Sequence, residues 1–117
     1  MIPVRGFEER TVAVFGLGRS GLAAARALEA GGARVAAWDE DPATRGLAEA
    51  QGLTLVDLAA ADWSGFAALA LSPGVPLTHP APHWVVEMAL ASGVEIVGDI
   101  ELFARTVALA PDHKRPK

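Results

Sequence analysis

The densest chemical information in this 117-residue chain lies in Gly16-Leu17-Gly18-Arg19-Ser20-Gly21. Each glycine of a Gly-x-Gly-x-x-Gly loop has a separate task. Gly16 permits a tight turn, Gly18 lets a diphosphate approach the backbone, and Gly21 lets the following helix pack closely on the preceding strand. A helix opening at such a loop offers N–H groups and a partial positive charge to an anion. Glycine is common here, so the pattern alone would also fit a sharp turn that binds nothing. Its context argues for binding: a strand-like run precedes it, a helical run follows, and Asp39 ends the next strand. A carboxylate at that place accepts from a ribose diol or a base N–H and repels a 2′-phosphate, which disfavours NADP. The alternative for Asp39 is a solvated carboxylate, or a helix cap ahead of Pro42. Ser72-Pro73-Gly74 is the third element, at the end of a later strand that should border the ligand crevice; a plain turn is its alternative.

These residues need a scaffold, and the hydrophobic pattern supplies one. Thr11–Phe15 reads as a buried strand, Ser20–Ala30 as an amphipathic helix stopped by Gly31-Gly32, and Arg34–Trp38 as a second strand. Pro42 opens a helix running to about Gln51, closed by Gly52. A weak third strand spans Leu53–Val56, and Ala67–Leu71 forms a fourth. A helix follows from about Pro82 to Ala91, then Val94–Val97 as a fifth strand. Asp99 would cap a last helix, with Ile100, Phe103, Ala104 and Val107 inward, ended by Pro111. Strands alternating with helices predict an α/β, Rossmann-like, doubly wound fold. Its mainly parallel five-stranded sheet would carry helices on both faces, in the order 3-2-1-4-5. Residues 1–110 are expected to form the domain and 111–117 a linker.

Composition narrows the function classes. With 51% hydrophobic and 21% charged residues the chain is globular rather than disordered. No apolar run reaches the about 18 residues of a membrane span. Met1–Arg5 lacks the pattern of a signal peptide, and the absence of cysteine removes disulfides and thiolate metal sites, so a cytoplasmic monomer is expected. Both lysines, Lys114 and Lys117, lie with Arg115 and Asp112 in a tail of net +2, leaving −6 for residues 1–110 of a chain whose formal charge is −4. So acidic a body argues against nucleic acid as a partner. His79, His83 and His113 show no metal-ligand spacing, and Trp38, Trp63 and Trp84 read as packing residues. Neither a nucleophile–base pair nor a Gly-x-x-x-x-Gly-Lys-Ser/Thr loop is present.

In order, Val14-Phe15-Gly16-Leu17-Gly18-Arg19-Ser20-Gly21, Leu71-Ser72-Pro73-Gly74-Val75-Pro76 and Val97-Gly98-Asp99-Ile100-Glu101-Leu102-Phe103 resemble the amino-terminal domain of the Mur ligases, most of all their D-glutamate-adding branch. The resemblance runs from about Thr11 to Arg105, and its last two motifs are far more specific than the glycine loop. It implies a domain that binds the UDP part of UDP-N-acetylmuramoyl-L-alanine in peptidoglycan biosynthesis. Gly16, Gly18, Arg19, Ser20 and Gly21 would meet the diphosphate, Asp39 the uracil, and Ser72, Pro73 and Gly74 the nucleotide's surroundings. Some relatives carry a hydroxyl residue and an arginine just after that aspartate, where this chain has Glu40 and Asp41. ATP, Mg2+ and D-glutamate would belong to further domains of a full-length enzyme, with no cofactor held by this part. The reading that rests on the glycine loop alone is a stand-alone NAD-binding regulatory or redox module. A dehydrogenase would also need a second half-fold and a catalytic acid or base, for which the chain has no room.

Since the phosphate-cradling Lys-Ser/Thr loop is absent, the chain is predicted to hydrolyse no ATP. Magnesium-dependent phosphate release should equal a buffer control.

Overall fold

The computed structural model describes residues 6–71 and 83–98. Along them run β1 (Thr11–Phe15), α1 (Arg19–Ala30), β2 (Arg34–Trp38), α2 (Pro42–Ala50), a 3-10 turn (Trp63–Gly65), β3 (Phe66–Leu71), α3 (Trp84–Ala91) and β4 (Glu95–Gly98). The strands form one parallel sheet in the order β2-β1-β3-β4. The expected last helix beginning at Asp99, and the expected helix start at Pro82, lie outside the described residues.

Parallel strands are covered on both faces, and the sequence shows it as runs of small and β-branched residues without polar alternation. Val12, Val14, Val35, Ala37, Ala68, Ala70 and Val97 point to one side, where Ala24, Ala25 and Leu28 of α1 and Ala48 of α2 cover them. Ala13, Phe15, Ala36, Leu69 and Leu71 point to the other, under Val85, Val86 and Ala89 of α3, together with Leu58 and Trp63. Alanine on both sides of these contacts lets the helices approach the sheet closely. The Trp63 indole satisfies its N–H by donating to the Leu58 carbonyl at 2.9 Å, so its burial leaves no orphan donor.

One expectation is corrected: among the described residues the sheet has four strands, not five. Leu53–Val56 makes a single parallel bridge, Leu55 to Ala37, on the outer edge of β2. Two hydrogen bonds form it, from the Ala37 N–H to the Thr54 carbonyl and from the Val56 N–H to the Ala37 carbonyl, each 3.0 Å. Asp57 then ends the extended run, its carboxylate accepting the Ala59 N–H at 3.0 Å in a side-chain turn. The segment therefore lies where the third strand of a 3-2-1-4-5 sheet belongs but is too short to be a strand.

Register aligns the carboxyl ends of the strands. Phe15 pairs with Trp38 on one side and with Leu71 on the other, and Leu71 pairs with Gly98. From β1 the chain crosses to β2 on one side, and from β3 to β4 on the other. The order reverses between β1 and β3, and the crevice above that point is where open α/β sheets hold ligands.

Leu69, fully buried in the middle of β3, tests this packing. Leu69→Ala should lower stability by about 2–5 kcal/mol. Urea unfolding should show the midpoint shifted while the transition remains single and cooperative.

Candidate functional site

The glycine loop is built from the end of β1 outward. Gly16 adopts φ +92°, a left-handed conformation that favours glycine, and its N–H donates to the Trp38 carbonyl at 2.9 Å. Leu17 turns inward and is 1% exposed, a hydrophobic plug in the α1-side core. Gly18 caps α1 in an extended conformation and, being glycine, supplies no side-chain cap to the helix N-terminus. The first N–H groups of any helix lack intrahelical acceptors, so this end is suited to an anion. A Cβ placed on Gly18 would meet nothing within 4 Å, and its φ is an ordinary −69°. The protein's own packing thus places no demand for glycine there, and the open space is room for something to approach the backbone. Arg19 is exposed and its side chain makes no hydrogen bond or ion pair among the described residues, Ser20 is half-buried, and Gly21 is buried within α1.

Asp39 is tied into this loop. Its Oδ2 accepts the Leu17 N–H at 2.7 Å and its Oδ1 accepts the Asp41 N–H at 2.8 Å. The Asp39 carbonyl accepts from the Arg45 guanidinium at 2.6 Å, and that guanidinium lies 4.3 Å from the centre of the Trp38 ring. Asp39 is therefore not the cap ahead of Pro42. Asp41 caps α2, accepting the Ala43 N–H at 3.3 Å and the Thr44 hydroxyl at 2.8 Å. The Thr44 hydroxyl, followed by the Ala43 N–H, holds the Asp41 carboxyl below the usual aspartate range.

Glu40 reaches across the rim. Its Oε2 accepts the Trp84 indole N–H at 2.7 Å, and its Oε1 lies 3.4 Å from His83 Nε2. The indole hydrogen bond is the main reason its carboxyl is held below the usual glutamate range. Phe15 packs against both partners, with ring centres 4.7 Å from His83 and 5.5 Å from Trp84. Trp63 is buried, as the reading of the tryptophans as packing residues expects, and Trp84 adds a hydrogen bond to its packing.

The structure thus brings Gly16, Gly18, Arg19, Ser20, Gly21 and Asp39 to one rim. Ser72, Pro73 and Gly74 lie outside the described residues; Leu71, just before them, pairs with Phe15 at that same rim.

The family described as Mur ligase MurD-like, N-terminal domain, matches residues 10–98. The chain belongs to this family. Residues 1–117 are 74% identical to the UDP-N-acetylmuramoylalanine--D-glutamate ligase of Caulobacter vibrioides, covering all of this chain and 25% of that protein. The ligase of the same name from Brucella abortus is 56% identical over 113 residues, 96% of this chain and 24% of the relative. This MurD-like chain therefore spans about a quarter of the length of the curated relatives it matches. A crystal structure of shikimate dehydrogenase from Aquifex aeolicus superposes with a TM-score of 0.56 at 16% identity, over 87% of this chain and 47% of the other, a likeness of fold alone. Among the described residues of this MurD-like domain no helix is long and apolar enough to cross a membrane.

Sequence reasoning missed three features of the rim. Leu17 had a signal, since an apolar side chain inside a polar glycine loop needs somewhere to go. Arg45 had a weaker one, four residues beyond the Asp41 cap. The Glu40–Trp84 bond joins positions 44 residues apart and left none.

Asp41 gives a pH test. A carboxyl held low in the fold contributes stability above its unfolded pKa and loses it as pH falls through the folded value. Asp41→Ala should be less stable than wild type near neutrality, and the gap should narrow as pH drops below about 4. Thermal melts of both proteins from pH 7 to pH 2.5 check this.

Proposed function

We propose that this domain binds UDP, as the nucleotide part of UDP-N-acetylmuramoyl-L-alanine, at the rim formed by residues 16–21 and Asp39. One observation carries the reading: the α1 N-terminus, whose cap residue Gly18 has no side chain and room for a Cβ, and the Asp39 carboxylate are joined through the 2.7 Å bond to the Leu17 N–H. Diphosphate and base recognition thereby share one rigid unit. A carboxylate oxygen has two lone pairs, and each Asp39 oxygen accepts one backbone N–H among the described residues. Capacity remains for the single N3–H of uracil, flanked by its two carbonyls, whereas adenine has no matching imide. Family membership supports UDP over NAD, and the longer protein is proposed to add D-glutamate to this substrate with ATP and Mg2+ in the cytoplasm. On this reading the described domain holds the nucleotide and leaves the chemistry to other domains. Ser72, Pro73 and Gly74, which follow β3 in sequence, are proposed to belong to the same site.

The hydrogen bonds on Asp39 make two roles inseparable. Truncating it removes the uracil acceptor and also strands the Leu17 N–H, so the diphosphate cradle loosens as well. Isothermal titration with UDP, NAD and inorganic diphosphate separates the readings. Wild type should bind UDP more tightly than NAD. Asp39→Ala should weaken UDP by roughly tenfold to a hundredfold, since a hydrogen bond to a charged group contributes about 1.5–3 kcal/mol, and should weaken inorganic diphosphate to a lesser degree. Gly18→Ala fits the fold without a clash, so it should melt close to wild type while weakening every diphosphate ligand. Tighter binding of NAD than of UDP by wild type would overturn the proposal.

A further inference from the structure

We propose that Glu40 is a positioning residue for this site, latching the β2–α2 segment to the start of α3 through Trp84 and His83 and so holding the adjacent Asp39 against the glycine loop. The inference rests on the nucleotide-site reading above for its effect on ligand, but the latch itself stands on geometry.

The two partners come from opposite sides of the sheet. Glu40 follows β2, at one end of the order β2-β1-β3-β4, whereas α3 leads into β4 at the other. The latch passes over Phe15, the last residue of β1, whose ring packs on both His83 and Trp84. It therefore crosses the rim at the crevice, one residue from Asp39. Its main strut is short, 2.7 Å from indole nitrogen to carboxylate, and the His83 contact at 3.4 Å is the weaker one. His83 is fixed at its other nitrogen, where Nδ1 accepts the Val85 N–H at 3.2 Å and caps α3. With Nδ1 an acceptor, the ring proton of a neutral His83 sits on Nε2 and points to Glu40. The latch thus needs no charge on His83. Both Asp39 oxygens bond to backbone on either side of this point, to Leu17 and to Asp41, so a shift of Glu40 is transmitted to both.

The 117-residue chain labelled with 15N supplies the test, read at the Trp84 indole N–H, at the Leu17 amide and by UDP titration. Three indole N–H signals are expected from Trp38, Trp63 and Trp84, and Trp84→Phe assigns the last. Glu40→Ala should move the Trp84 indole signal upfield and speed exchange of the Leu17 amide. It should also weaken UDP binding by roughly five- to tenfold. Trp84→Phe, which keeps a ring against Phe15, should weaken UDP similarly, and the double variant should be no weaker than either alone. Glu40→Gln keeps an oxygen for the indole and should remain within about twofold of wild type. An unmoved indole signal or an unchanged Leu17 exchange rate in Glu40→Ala would overturn the latch. Additive losses, or a Gln variant as weak as the Ala variant, would show that Glu40 touches the ligand itself. Tighter UDP binding by Glu40→Ala would show that the bridge obstructs the crevice, which also overturns the proposal. If wild type ignores UDP, the nucleotide reading alone fails, and the Leu17 amide still decides whether Glu40 positions the loop.

Discussion

β1 pairs in parallel with β2 on one edge and with β3 on the other, and the rest of the domain follows from that double pairing. A parallel neighbour cannot be reached by a tight turn, so each pairing requires a crossover. The β1–β2 crossover carries α1, the stretch from β2 to β3 carries α2, and α3 lies in the further crossover from β3 to β4, so that α1 and α3 cover opposite faces. Because the chain leaves β1 toward one edge and β3 toward the other, the loops above these two strands part and leave a crevice. The described residues of the proposed site lie at that rim, in the β1–α1 loop, the first turn of α1 and the residue that follows β2.

Backbone groups rather than side chains form most of this rim. The glycine loop is held by the Gly16 N–H on the Trp38 carbonyl, by the buried Leu17 side chain, and by the Leu17 N–H on Asp39. A loop fixed at three points presents its N–H groups in one geometry, and little ordering entropy is then left to lose on binding. The Asp39 carboxylate is partly buried, and its two backbone donors offset the desolvation that burial imposes. That same pair of bonds gives Asp39 a structural role beside the one proposed for it toward the nucleotide.

Glu40 and Asp41 occupy the positions where some Mur ligases carry a hydroxyl residue and an arginine. In this chain both acids serve the protein: Asp41 caps α2, and Glu40 bonds to Trp84. Two further carboxylates beside a bound diphosphate would repel it if they faced it. Asp41 spends its oxygens on the opening turn of α2, and Glu40 turns its own toward an indole N–H and an imidazole. The departure from the family pattern is thereby absorbed without placing bare charge toward the loop.

Much of this was legible in the residues alone. β1 and β2 have the bounds that the β-branched and alanine runs indicate, and Pro42 and the glycines after the first two helices mark ends that the structure keeps, because backbone sterics act over one or two residues. Local pattern failed where strength depends on a neighbour: Leu53–Val56 has a strand's composition, but whether it extends beyond one bridge depends on the β2 edge and on the Asp57 turn. The glycine spacing and Asp39 pointed to a site, since a loop's φ requirements are written in its own residues. The partners of Asp39 were not, and neither was the bond between Glu40 and Trp84. Residues 44 positions apart meet only after β1 has paired on both edges, and nothing in the local pattern of either stretch encodes that encounter.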